Sequence, residues 1–245
     1  MGKQIRTLLA LAGALVLAGC ASTTTSNIDA QDNAVIPTAR IAIDIGERPG
    51  PPSRLHTSHA VEVALSGATG SDDLHITNGQ QPVKFGGETF NAPQDLKADY
   101  DFRFAELAYR FRYVSERRGL GVETLAGLGH ARLGLRLTGA TQVAAERLDG
   151  SGIVVGLGFL MRLWPSGSFH ARGAGFASTT SDGVSTVGRY ELFLEQAIGR
   201  HAAIRAGYAG WDVRSKREDD PSSGSNQSSI RVRITGPTVG LALMF

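Results

Sequence analysis

The chain has 245 residues, a formal net charge of +2, 31 glycines, 9 prolines and one cysteine. A single cysteine excludes an intramolecular disulfide, and basic residues scattered among acids exclude a nucleic-acid-binding block. Abundant glycine with little proline fits closely packed strands better than a disordered linker.

The N-terminus reads as an export signal. Lys3 and Arg6 precede an apolar run from Leu8 to Val16, followed by small residues. That run is too short and wrongly flanked for a membrane-spanning helix. Leu17-Ala18-Gly19-Cys20 is similar to the lipobox of bacterial lipoproteins. The resemblance implies removal of residues 1–19 as a lipoprotein signal peptide and attachment of fatty acyl chains, such as palmitate, at Cys20. No Asp follows at the second mature position, which in that family implies the Gram-negative outer membrane. Loss of residues 1–19 removes Lys3, Arg6 and no acid, so the formal charge falls from +2 to zero. Residues 20–57 are expected to form a lipidated tether. Within it "RIAIDIG" (Arg40 to Gly46) is a candidate short strand, broken by "ERPGPPSR".

Residues 58–245 are expected to form one β-domain. Eight stretches alternate with period two. "HAVEVALSG" sets Val61, Val63 and Leu65 against Glu62. "FAELAYRFRY" sets Leu107, Tyr109, Phe111 and Tyr113 against Glu106, Arg110 and Arg112. "GLGVETLAGLG", "GIVVGLGFLMRLW", "SFHARGAGF", "VGRYELFLEQAIG", "AAIRAGYAGW" and "TVGLALMF" continue the pattern, with Glu123, Arg162, Arg172, Arg189, Glu191, Glu195 and Arg205 on their polar faces. Short turns ("SERR", "PSGS", "GRH") alternate with longer connections near residues 69–99, 139–150, 179–186 and 216–228. Short turns on one rim and long loops on the other are the pattern of an outer-membrane barrel. An even strand count would also bring both chain ends to the periplasmic rim.

A soluble lipocalin-like barrel alternates as well. The composition of the polar face separates the two. It carries Gly, Glu and Arg with few Lys, and glycine weakens a solvated strand. It does suit the crowded interior of a narrow barrel. The expected lumen set is Glu62, Glu106, Arg110, Arg112, Glu123, Arg162, Arg172, Arg189, Glu191, Glu195 and Arg205. Pairing is demanded by the cost of burying single charges. Aromatic residues on the opposite face (Tyr109, Tyr113, Phe159, Phe169, Tyr190, Tyr208 and Phe245) fit interfacial girdles.

On these residues the chain resembles the OmpA/OmpX-type family of small outer-membrane barrels. "TVGLALMF" is similar to that family's assembly signal, with Thr238, Gly240, Leu243 and Phe245 at its positions. The resemblance implies an all-β, eight-stranded, antiparallel, up-and-down transmembrane β-barrel with short periplasmic turns and longer outer loops. It implies contact with outer-membrane lipids and lipopolysaccharide, and with the barrel-assembly and lipoprotein-export machineries.

No sign of catalysis rises above background. His56, Ser58 and His59 form one polar group and Ser168 and His170 another, but neither has a third residue at triad spacing. The six His residues show no metal spacing, and no cofactor motif is present. The expected function is a non-catalytic structural, envelope-anchoring or surface-interaction role. The alternatives are a lipid A acyl hydrolase or acyltransferase, a narrow pore or small-ligand transporter, and a soluble periplasmic lipocalin-like lipoprotein.

Overall fold

A computed structural model describes residues 27–48, 55–77, 82–115, 119–178, 184–217 and 228–244. The signal, Cys20 and Phe245 lie outside them. The described chain is all-β. Its strands are β1 (Asn27–Asn33), β2 (Ile36–Arg48), β3 (Leu55–Ile76), β4 (Val83–Phe85), β5 (Glu88–Phe90), β6 (Gln94–Ser115), β7 (Leu120–Thr138), β8 (Val143–Trp164), β9 (Gly167–Ser178), β10 (Val184–Ile198), β11 (Ala202–Arg217) and β12 (Ser228–Met244).

Nine of these strands close a ring, in the order β2-β3-β6-β7-β8-β9-β10-β11-β12 and back to β2. Every neighbouring pair is antiparallel except the closing one, where β12 runs parallel to β2 from Thr238–Ile36 to Met244–Ala42. β1 continues that parallel register, from Asn27–Ser229 to Asn33–Thr235. Closure needs a close approach at Gly240. A Cβ there would stand 2.2 Å from Thr38 Oγ1 and 2.5 Å from the Thr38 carbonyl oxygen.

Two expectations change. The eight-strand count becomes nine, because the segment read as a tether with a candidate short strand is a full strand bonded on both edges. An odd ring forces its first and last strands to run parallel. The two described ends therefore leave by opposite rims. Asn27 lies at the rim of the long connections and Met244 at the rim of the short turns.

The strands also run beyond the expected loop boundaries. β3 continues to Ile76, β6 starts at Gln94, and only 139–142 separate β7 from β8. These extensions still alternate, but with the polarity reversed. In β6, Leu96, Ala98, Tyr100, Phe102 and Phe104 are buried, while Asp95, Lys97 and Arg103 are exposed. Beyond Ala105 the same strand buries Glu106 and Arg110 and exposes Leu107, Tyr109 and Tyr113. The ring thus has two storeys. On the long-connection side an apolar core faces in and charge faces out. On the short-turn side charge faces in and an aliphatic belt faces out. The β4–β5 hairpin adds Phe85 and Phe90 to the upper core, which also holds Leu96, Leu137 and Ala144.

Candidate functional site

Inward positions of the lower storey hold an ion-pair network, joined to Arg189 by Glu191 at 3.8 Å, and a separate Arg205–Glu195 pair nearer the short turns. Glu62 is fully buried on β3 and takes three guanidiniums: Arg40 Nη1 at 2.6 Å, Arg172 Nη1 at 2.9 Å and Arg110 Nη1 at 2.8 Å. Arg40 also donates through Nη2 to both oxygens of Glu191, at 2.7 and 2.5 Å. Arg172 Nε reaches Glu123 at 2.8 Å, and Arg112 shares that carboxylate at 3.1 Å. Arg189 Nη2 spans both oxygens of Glu106 at 2.9 Å. Towards the short turns Arg205 Nε bonds Glu195 at 2.6 Å. Asp44, half exposed on β2, stands 3.7 Å from Arg110.

Two-residue periodicity puts these groups together. Each strand sends every second side chain inward, and the register sets small residues beside the charged ones: Ala64 faces Glu106, Ala60 faces Arg110, and Gly158 faces Arg172. Glycine makes the space. A Cβ on Gly158 would lie 2.6 Å from Glu123 Cγ, so the acid lies where any larger residue would stand. Arginine suits such a centre because its planar fork serves two carboxylates at once, as Arg40 and Arg172 do here.

Of the expected lumen set, Glu62, Glu106, Arg110, Arg112, Glu123, Arg172, Arg189 and Glu191 lie in this network, and Glu195 and Arg205 form the separate pair below it. Arg162 does not. It is exposed next to the β8–β9 turn, where the register shifts between Arg162 and Trp164 and breaks the inward alternation. Sequence reasoning missed Arg40 and Asp44. Their alternation in "RIAIDIG" was the available signal, but the proline-rich break after it hid the partner strand. With these two, six arginines face six carboxylates.

The top of the network meets the apolar core at Arg189. Its guanidinium lies 5.3 Å from the Trp211 ring centroid and 5.7 Å from that of Phe104. Trp211 in turn packs on Phe102 and Phe104, each at 5.2 Å between ring centroids. Charge below and aromatics above fill the interior.

The polar groups considered for catalysis take other roles. His170 is buried, stacks flat on Phe193 at 4.7 Å, and meets the Ser168 hydroxyl through Nε2 at 2.8 Å. Glu195 approaches that same nitrogen at 3.8 Å. A relay needs the carboxylate on the opposite ring nitrogen, so the arrangement orients no base. His59 pairs through Nδ1 with the Tyr109 hydroxyl and packs on Phe111. Ser58 lies beside Arg112 in the register, and the side chain of His56 is outside the described set.

A third group lies on the outer wall of the upper storey and was not singled out in the sequence. His130 Nδ1 is 2.9 Å from the Ser151 hydroxyl, and Asp149 stands 3.9 Å from His130 Nε2. Asp149 is instead bonded by Arg132 Nε at 2.7 Å, and that hydrogen bond keeps its carboxyl below the usual carboxylate range. The same wall carries Asp212, bonded by Arg231 and Arg214. Burial alone would raise its carboxyl, but the two guanidiniums hold it down to about 2. Among the described residues no group of three His, Cys, Asp or Glu could hold a metal ion.

Of the positions compared with the assembly signal, Thr238 is buried and its hydroxyl donates to the Ile36 carbonyl oxygen at 2.8 Å, while Gly240 makes the close approach to β2. Leu243 faces outward. No family model matches the chain, no curated protein matches its sequence, and no solved structure matches it.

Proposed function

We propose that the chain is an outer-membrane β-barrel lipoprotein whose lower storey spans the bilayer and whose upper storey projects from it, with a structural or surface-interaction role and no catalysis. The carrying observation is the exchange of polarity between the inner and outer surfaces at one level. Leu65, Leu107, Leu128, Ile153, Val155, Leu157, Leu192, Leu194, Val239 and Leu241 face outward, and all are 45 to 63% exposed. A water-soluble barrel has no use for such a belt, since exposed apolar patches of this extent mark an interaction surface or a membrane. The lipocalin-like reading accounts only for the upper storey.

Two further features support this reading. Belt segments such as Tyr190–Ile198 and Ala105–Tyr113 are close to the roughly 9–11 residues that a tilted strand needs to cross a bilayer. Tyr190 and Tyr208 lie next to the polarity step, while Tyr113, Phe159 and Phe169 lie towards the short turns, as paired aromatic girdles would, and Tyr109 stands at mid-belt. The filled interior argues against a pore, and the geometry of His170 and of His59 argues against hydrolysis.

With the short turns facing the periplasm, Asn27 emerges on the outer side. Residues 21–26 separate it from Cys20, and at roughly 3.5 Å per residue they reach at most about 25 Å. A lipid on Cys20 would then lie on the outer side.

The test is carbonate extraction of membranes, followed by gel mobility with and without boiling. A membrane barrel stays in the pellet and migrates differently once boiled. Release into the supernatant from membranes expressing Cys20→Ala would overturn the spanning reading.

A further inference from the structure

The ring is not laddered over its full height. β3 pairs with β2 only from Thr38–Ser66 downward, whereas on its other edge it pairs with β6 up to Ile76. β1, the next segment above β2, pairs with β12. Among the described residues no ladder joins β1 to β3, although the two strands approach each other, so above Thr38 and Ser66 the wall carries a seam without backbone pairing.

A groove of about 900 Å³ lies at the foot of this seam. That is within the usual size of small-molecule sites, roughly 300–1,000 Å³. Pro37, Leu65 and Ala105 make its apolar side, continuous with the belt below. Arg103, His130 and Arg132 make its upper side. Small outward residues keep the floor low, with Ala105 beside Leu65 on one edge and beside His130 on the other. Proline at position 37 offers no backbone N–H at this edge, which suits an unladdered position.

The charge on the upper side is arginine held in place. Arg103 is bonded through Nε and Nη2 to Asp101, at 3.2 and 3.0 Å, and Arg132 through Nε to Asp149. The carboxylates fix both forks, and those bonds leave Arg103 Nη1 and both Arg132 Nη atoms for another acceptor. Two oriented guanidiniums above an apolar trough match a phosphate with acyl chains beneath it.

We infer that this seam groove binds a phosphorylated, multiply acylated lipid from the leaflet on the long-connection side, chains against Pro37, Leu65 and Ala105 and phosphate on Arg103 and Arg132. The inference rests on the bilayer reading above and names a ligand class for its wall.

Native mass spectrometry of the full chain released from detergent micelles tests it. The probes are bisphosphorylated lipid A and the same lipid stripped of its phosphates. The wild-type protein should prefer the phosphorylated form by roughly tenfold, as expected for one or two charge-assisted hydrogen bonds. Arg103→Ser with Arg132→Ser should abolish the preference and keep residual binding of both forms. Ala105→Trp, an outward change that fills the trough, should lose both. The boiling-dependent gel shift establishes that each variant is folded. Undiminished binding by folded Ala105→Trp, or a preference that survives loss of both arginines, would overturn the groove while leaving the membrane reading intact. A chain that carbonate extracts from membranes would overturn both.

Discussion

Glu62→Gln tests the interior network at its most connected point. The carboxylate receives Arg40 and Arg172 on one oxygen and Arg110 on the other, in a residue with no solvent exposure. A glutamine oxygen can keep the first two bonds. Its amide nitrogen then points a donor at Arg110, whose other carboxylate, Asp44, is 3.7 Å away. The variant therefore loses one charge-assisted hydrogen bond and leaves one positive charge uncompensated in a closed interior. Removing one partner of a buried ion pair costs about 3–5 kcal/mol. With a urea slope of roughly 1–3 kcal/mol/M, the unfolding midpoint in micelles or lipid vesicles should fall by more than about 1 M. Gel mobility without boiling reports the folded fraction. Glu195→Gln is the comparison. Its main partner is Arg205, its side chain is 11% exposed, and water can replace part of what is lost. A loss of about 1–2 kcal/mol is expected there, near the value of a single hydrogen bond to a charged group. If Glu62→Gln stays within about 1 kcal/mol of wild type, or if the two variants lose equal stability, the convergence of three arginines on Glu62 does not govern stability.

Other substitutions probe the wall, the closure and the upper storey. Leu241→Arg, in the outward belt, should cost about 2–4 kcal/mol in lipid vesicles if that level is mid-bilayer. Gly240→Val places carbon against Thr38 and should open the β12–β2 closure, seen as protease cleavage in β2. Asp212 has a depressed folded-state value. Its stabilisation is complete above the unfolded carboxylate value, about 3.9, and is lost as pH falls towards about 2. Asp212→Asn should therefore be less stable than wild type at pH 5, with the gap closing near pH 2 when unfolding is followed by Trp211 fluorescence. In planar bilayers the wild-type protein should carry no steady current, because its interior is filled; large stable conductance steps would refute that.

The lower storey was legible in the sequence because an outward apolar belt around a charged interior leaves a simple code. One face is Leu, Val and Tyr, and the other is Glu, Arg and Gly. Ten of the eleven charged positions expected inside face inward, eight in one ion-pair network and Glu195 and Arg205 as a separate pair. The upper storey was read as loop for the opposite reason. "SDDLHI" looks like a solvated turn until Leu74 and Ile76 are seen to point inward while Asp73 and His75 point out. Alternation was present, but charge density masked it. Arg40 and the ninth strand were hidden differently. A strand is recognised by its partners, and those of β2 are a neighbour beyond a proline-rich break and β12 at the other end of the chain. Long-range parallel closure leaves no local mark.

The two polarity steps occur at one height. On β6 the outer step falls between Arg103 and Ala105 and the inner one between Phe104 and Glu106. On β10 the outer step falls at Gly188–Tyr190 and the inner one at Val187–Arg189. The coincidence has a physical cause under the bilayer reading. Each side chain meets either its neighbours in the packed interior or the medium outside, and at this level the medium changes. Raising the belt edge would bring Arg103, Arg132, Asp149 and Arg233 into hydrocarbon, where a charged residue costs about 2–4 kcal/mol near the midplane and less towards the edge. Lowering it would leave belt leucines and valines in water at about 25 cal/mol per Å² of apolar surface. Under that reading both displacements are opposed around the ring, and the height of the two steps sets its depth in the bilayer. Arg189 is the interior counterpart of that edge. Its charge is paired below with Glu106 and its flat face is laid against Trp211 and Phe104 above, which lets one residue join the two cores. The seam groove opens at this same height, where a headgroup and its chains would meet.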